Sequence, residues 1–284
     1  MIAHAPPASP NGFPTRKRIA PFALHRPASI GEALAIYHDS DGAAFYAGGV
    51  DMMNRLKGGQ RVGDLVHLGR VTQLQGIVRR DGFVHVGSGV THAAAATALR
   101  DDLPELAALL DDMANVRVRF VGTLGGNVMA GDPAYETLPA MAALGARLVF
   151  ADRHGERAIS ASAYGHEDGL LVRFEIPIVA GARLLFDRAH RPFAGVMLGV
   201  TLVNGLVTHL RLTVSCAFNR PVCLEQRFDE RLEAARAASW APAVAATLAG
   251  ALPEPASDWV ASARYRRRLV GVIAARLLAT LECT

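Results

Sequence analysis

Helical and strand spacing of apolar residues alternate along the first half of the chain. Ser29 stands where a helix cap belongs, Glu32 follows three residues later, and Ala33, Leu34, Ile36 and Tyr37 make one apolar face. Ala43 to Ala47 reads as a buried strand, Asp51 to Lys57 as a short helix stopped by Gly58-Gly59. Leu65 to Leu68 and Phe83 to Val86 read as strands, the second alternating after the Asp81-Gly82 turn. Thr91 caps a helix from His92 to Leu99, and a further helix runs from Asp102-Leu103-Pro104 through Leu110. Val118, Phe120 and Val121 make an apolar approach to Gly122. Asp132-Pro133 predicts a helix start, with proline in its first turn and its end at Leu144-Gly145. Ala146 to Ala151 reads as a strand.

Beyond Pro177 the pattern changes. Arg183 to Phe186, Gly195 to Val203 and Leu206 to Ala217 are β-like, and Asn204-Gly205 predicts a hairpin between the last two. Past Leu224 the spacing reads as helical to the end. An antiparallel sheet followed by helices thus succeeds a mixed α/β half, which makes the chain α+β.

Composition narrows the class. The 284 residues are 51% hydrophobic and 20% charged, enough for a sizeable core and for two domains. The net charge of +4 comes from scattered arginines; only Arg16-Lys17-Arg18 and Arg264-Tyr265-Arg266-Arg267-Arg268 cluster, and aromatics make 6%. That pattern argues against a nucleic-acid partner. No run of 18 apolar residues predicts a membrane span. Cys216, Cys223 and Cys283 fit neither a disulfide framework nor an iron–sulfur or zinc spacing, and the cytoplasm is the expected compartment.

The candidate chemistry lies in two glycine pairs, Ala47-Gly48-Gly49-Val50-Asp51 and Thr123-Leu124-Gly125-Gly126-Asn127. Each follows a short apolar stretch and precedes a helical segment, so each can aim bare backbone N–H groups at an anion. Together they predict a clamp gripping one diphosphate from two sides. Gly87-Ser88-Gly89-Val90-Thr91-His92 imitates a dinucleotide fingerprint, but His92 takes the place of the third glycine.

With these glycine pairs, Val118-Arg119-Phe120-Val121-Gly122, Asp132-Pro133-x-x-Glu136, Arg26-Pro27-Ala28-Ser29 and Tyr265-Arg266-Arg267, the chain resembles the flavoprotein (medium) subunit of molybdenum hydroxylases. The resemblance runs from about Pro21 to Leu278. It implies a two-lobed PCMH-type FAD-binding domain and a C-terminal domain of antiparallel sheet plus helices. The expected division is a disordered lead-in over 1–18, an FAD-binding domain over 19–177 (lobes 19–59 and 60–177), and the C-terminal domain over 178–284. It also implies a small [2Fe–2S] subunit and a large molybdopterin subunit as partners, in a dimer of heterotrimers. Electrons would pass from the clusters through FAD to an external acceptor, with no acid–base catalytic residue on this chain.

The cofactor contacts that follow are Ala47, Gly48, Gly49, Val50, Asp51 and Met52, then Thr123, Gly125, Gly126 and Asn127, with Asp132, Glu136, Leu171 and Arg188. Thr123 and Asn127 can donate to phosphate or ribityl oxygens, whereas Asp132 and Glu136 suit hydroxyls. Helix capping is an equal reading for Asp132, and a solvated helix end the simpler one for Lys57. Val50 offers only its N–H, and the segment between Arg157 and Leu170 is short for such a subunit, which predicts an exposed flavin ring. Two other classes compete: a flavin-free scaffold of the same complex, and a stand-alone flavin oxidase.

Overall fold

A computed structural model describes residues 19–189 and 193–283, so the lead-in and its Arg16-Lys17-Arg18 cluster lie outside the described residues. The chain opens with β1 (Ala23–His25), α1 (Ile30–Asp39), β2 (Ala44–Tyr46), α2 (Val50–Lys57) and β3 (Asp64–His67). These strands form a parallel sheet in the order β1-β3-β2. The predicted cap of α1 is in place. Ser29 accepts from the Glu32 N–H at 3.2 Å, and the Glu32 carboxylate accepts from the Ala28 N–H at 2.8 Å.

A lobe boundary at residue 59/60 does not follow this sheet, because β3 is its central strand. Parallel strands need a crossover between them, so the α2 excursion must return a third strand to the middle.

β4 (Ile77–Arg80) and β5 (Phe83–Gly87) start a second sheet, of which β4 had no clear sequence signal. Five helices follow: α3 (His92–Ala98), α4 (Pro104–Asp112), α5 (Val116–Val121), α6 (Leu124–Ala130) and α7 (Thr137–Ala143). Then β6 (Arg147–Asp152), β7 (Gly155–Ser160) and β8 (Leu170–Pro177) complete an antiparallel sheet ordered β4-β5-β8-β6-β7. Its two faces are both covered. Val84, Val86, Phe150, Phe174 and Ile176 pack with helix residues such as Leu99, Leu109, Leu124 and Met141. Val149, Ala151, Leu170 and Val172 pack with Ala33 and Leu34 of α1 and Val66 of β3.

β9 (Ala182–Arg188), β10 (Gly195–Val203), β11 (Leu206–Ser215) and β12 (Val222–Glu233) form the third sheet, ordered β12-β11-β10-β9, with the β10–β11 hairpin turning at Asn204-Gly205. Helices α8 (Ala237–Ala251) and α9 (Ala263–Ala279) close the chain. β12 corrects the reading of helix past Leu224. Its charged residues alternate along an edge strand that pairs only with β11, so it carries no continuous apolar run.

One face of this sheet packs on α8 and α9 through Val196, Leu198, Val200 and Leu212. Leu184 and Met197, on the other face, join the core of the five-stranded sheet and its helices. Among the described residues no helix is long and apolar enough to cross a membrane.

Candidate functional site

β2 delivers the chain into Ala47-Gly48-Gly49, and α2 begins at Val50. Gly49 caps α2 with φ +76° and offers no side chain, so the first helical bond is Met53 N–H to the Gly49 carbonyl at 3.0 Å. The backbone N–H groups of Gly48, Gly49, Val50, Asp51 and Met52 meet no acceptor among the described residues. Five consecutive free donors at the positive end of a helix make an anion site without any cation. The Met52 side chain turns away from it and packs beside Leu56 and Leu65.

The second glycine pair differs from the sequence expectation. Its N–H groups are already used: Leu124 donates to the Val90 carbonyl (2.9 Å), Gly125 to Ser88 (2.8 Å), Gly126 to the Thr123 hydroxyl (3.0 Å) and Asn127 to Thr123 (2.9 Å). Here the glycines serve close packing. A Cβ on Gly125 would stand 2.7 Å from the Ser88 carbonyl oxygen, and one on Gly126 2.8 Å from the Thr123 hydroxyl. The symmetric pair of amide cradles is therefore not present; one cradle is open and the other is closed by the segment 88–92. His92 locks that closure. Its N–H and Nδ1–H both donate to the Gly122 carbonyl, at 3.1 and 2.8 Å, and burial lowers its pKa, keeping the ring neutral. The segment before the pair is the helix α5, capped by Asn115, with Phe120 68% exposed.

The two loops nonetheless meet. A Cβ built on Gly48 would lie 2.7 Å from the Val121 carbonyl carbon and 3.1 Å from the Gly122 Cα. The first glycine turn thus lies against the residues that lead into the second. The Thr123 hydroxyl hydrogen remains available for donation, since the Oγ1 acts there as acceptor. Asn127 spends its carbonyl oxygen on the Thr137 N–H at the start of α7 (3.3 Å), leaving its amide hydrogens.

Acidic groups surround this region. Asp51 pairs with Arg55 at 2.5 Å, one turn along α2, and the Arg55 guanidinium also donates to the Ala130 carbonyl at the end of α6. Burial holds the Asp51 carboxyl above its ordinary range, with the Asp132 charge adding to the lift, Arg55 opposing it and Tyr135 hydrogen-bonded to it. Asp132 does not start a helix. It accepts from the Ala134 N–H at 2.8 Å in a turn, and α7 begins only at Thr137, so Pro133 occupies the turn before it. Glu136 is held by Arg188 of β9 at 2.7 Å, whose other nitrogen binds Asp112 at 2.8 Å. The Glu136 hydrogen bond lifts the Arg188 pKa further. This triad ties the second sheet's helices to the third sheet.

Leu171 is misplaced as a side-chain contact. It is 2% exposed inside the central strand β8, so it offers no surface to a ligand. Lys57 stands in the last turn of α2, at the far end from Gly49. Sequence reading missed Arg55 and Tyr135; the Asp51–Arg55 spacing of four was a usable signal for the first. The short segment after Arg157 is tied back by that arginine, which binds Glu167 at 2.8 Å and the Asp168 carbonyl at 2.6 Å.

Comparison with known proteins gives a consistent result. Residues 20–178 match a family described as the FAD binding domain in molybdopterin dehydrogenase. The chain is 30% identical to the caffeine dehydrogenase subunit beta of Pseudomonas sp. (strain CBB1) over 166 residues, covering 54% of this chain and 56% of that subunit. It is 27% identical to the carbon monoxide dehydrogenase medium chain of Afipia carboxidovorans over 275 residues, covering 90% of this chain and 94% of the relative. A chain of quinoline 2-oxidoreductase from Pseudomonas putida 86 superposes with a TM-score of 0.82 at 26% identity, covering 94% of this chain and 99% of that one.

Proposed function

The chain belongs to the family of FAD-binding domains of molybdopterin dehydrogenases, and from that membership we propose that it is the electron-transferring flavoprotein subunit of a molybdenum hydroxylase. The open cradle from Gly48 to Met52 is the observation that carries the reading. A diphosphate placed there meets five backbone donors and the α2 dipole, and the neighbouring Thr123 hydroxyl and Asn127 amide can donate to the same ligand. In this reading Asp132, which accepts from the Ala134 N–H, also accepts from hydroxyls of the cofactor, and the Glu136–Arg188 pair borders it. Bound FAD would supply the redox chemistry linking [2Fe–2S] clusters on a partner subunit to an external acceptor, and this chain's part would be to hold and orient it through the cradle from Gly48 to Met52. The organic substrate is oxidised on a large molybdopterin subunit, and the complex is a cytoplasmic dimer of heterotrimers. The FAD-binding domain ends near 177, where β8 closes the second sheet, and a C-terminal domain begins with β9.

The chain purified as expressed should be yellow and release one FAD per polypeptide on denaturation. A colourless chain that binds no added FAD would overturn this reading in favour of a scaffold. Turnover of an organic substrate by the chain alone would do so in favour of an oxidase. Lys57→Ala should leave the FAD Kd within about twofold, since the side chain sits in the last turn of α2, some eight residues or roughly 12 Å from Gly49 at its capped end. Titration of the apo chain by flavin fluorescence checks this; a tenfold loss would move the anion to the other end of the helix.

A further inference from the structure

Asp51 supplies one of the five free N–H groups of the first glycine turn, yet its side chain is a carboxylate in the first turn of α2. The Asp132 charge acts on it from the turn that follows α6. A diphosphate seated on the free donors would add negative charge to a region that already holds two acidic groups. Like charges so close disfavour one another, and neither glycine turn contains an arginine or lysine to offset them.

Arg55 is the cation that faces Asp51. Its Nε binds the carboxylate at 2.5 Å, one turn along α2. Its Nη2 donates to the carbonyl of Ala130, the last residue of α6. Gly131 ends that helix in the left-handed region, at φ +68°, so no further helical turn supplies a donor to this carbonyl. The guanidinium therefore stands at the negative end of one helix while it holds an acid at the positive end of another, which favours it twice. Tyr135 adds a hydrogen bond to the same carboxylate. Asp51 is thus faced by Arg55 on its own helix and by Tyr135 and Asp132 on the turn; the Tyr46 hydroxyl stands beside Gly49, and α6 carries no charged side chain. Lys57 cannot take the part of Arg55, because it lies in the last turn of α2.

We propose that Arg55 is a positioning residue for the cofactor. By neutralising Asp51 from a place fixed on the end of α6, it keeps the cradle from Gly48 to Met52 receptive to a diphosphate. This role rests on the FAD reading above and deepens it. A plain structural tie between α2 and α6 would need no carboxylate at position 51, and the two roles separate by experiment.

Flavin titration of the full apo chain gives the FAD Kd, with the wild type as reference at each pH and a urea midpoint to show that each variant is folded. Arg55→Met removes the charge and should raise the Kd about tenfold at pH 8, the scale of one uncompensated like charge beside an anion. Arg55→Gln, which can still donate to the Ala130 carbonyl but has no charge, should lose about as much. Without Arg55 the Asp51 carboxyl binds a proton more readily, and a bound diphosphate favours the protonated form. Both losses should therefore shrink as the pH is lowered to 6. Asp51→Asn added to either variant should bring the Kd back to within about threefold of the wild type at both pH values.

Arg55→Met and Arg55→Gln binding FAD as tightly as the wild type would overturn the role while the FAD reading stands. So would a loss of equal size at both pH values that Asp51→Asn does not relieve, which assigns Arg55 to the α2–α6 contact alone. A wild-type chain that takes up no FAD overturns both.

Discussion

Gly48→Ala is expected to cost the chain its FAD and a large part of its stability. A Cβ at this position is driven into the Val121 carbonyl and stands 2.7 Å from its carbon, all backbone atoms that no rotamer change can move aside. Overpacking of this kind costs about 1–3 kcal/mol when neighbours can yield, and here the yielding element is the contact between the two glycine loops. Relief requires the loops to separate, which takes the free N–H groups of Gly48 to Met52 away from Thr123. An FAD affinity loss of about 2.7 kcal/mol, roughly a hundredfold in Kd, is the expected scale. Flavin titration of the apo chain and a urea midpoint measure the two effects separately. Gly31→Ala is the control: it lies in α1 with open space around it, so it should be neutral or stabilising by about 0.5–1 kcal/mol. If Gly48→Ala binds FAD like the wild type, the loop contact does not shape the site.

Arg266→Ala is expected to lower stability by about 1–3 kcal/mol, the scale for leaving buried hydrogen-bond acceptors without a donor. The side chain is 4% exposed and binds the Cys216 and Phe193 carbonyls through one nitrogen and Asp258 through another. Its loss strands two carbonyls and removes the tie between Asp258 and α9, while Arg267 still holds the Leu252 and Pro253 carbonyls. Arg266→Lys should recover only part of the deficit, because an ammonium cannot reproduce the planar fork that serves acceptors in two directions. Urea denaturation gives the magnitude, and a change within 1 kcal/mol of wild type would show that the network is not what fastens α9 to the third sheet.

Much of the site was legible because its signals are local. The glycine pairs, the Ser29–Glu32 cap and the Thr91 cap each depend on residues within four positions of one another, and all stand where the pattern put them. Helix α7 shows the limit. Asp132-Pro133 is a good helix opening by local chemistry, but the Asp132 carboxylate bonds to Ala134 in a turn and Asn127 supplies the acceptor for Thr137 instead. Strand β12 shows another limit: an edge strand is stabilised by its single neighbour, and its own alternation of charge reads as surface in any conformation.

The order of the chain alone determined the α+β class, the two glycine turns and the family to which they belong, because backbone freedom at glycine and capping at Ser or Thr are properties of a few adjacent residues. Only the tertiary structure decided which turn keeps its donors. Ser88 and Val90, more than thirty residues before the second turn, claim the Leu124 and Gly125 N–H groups, while nothing among the described residues reaches those of the first. A hydrogen bond between distant segments is set by how sheets and helices stack, and that stacking is written in no single stretch of sequence.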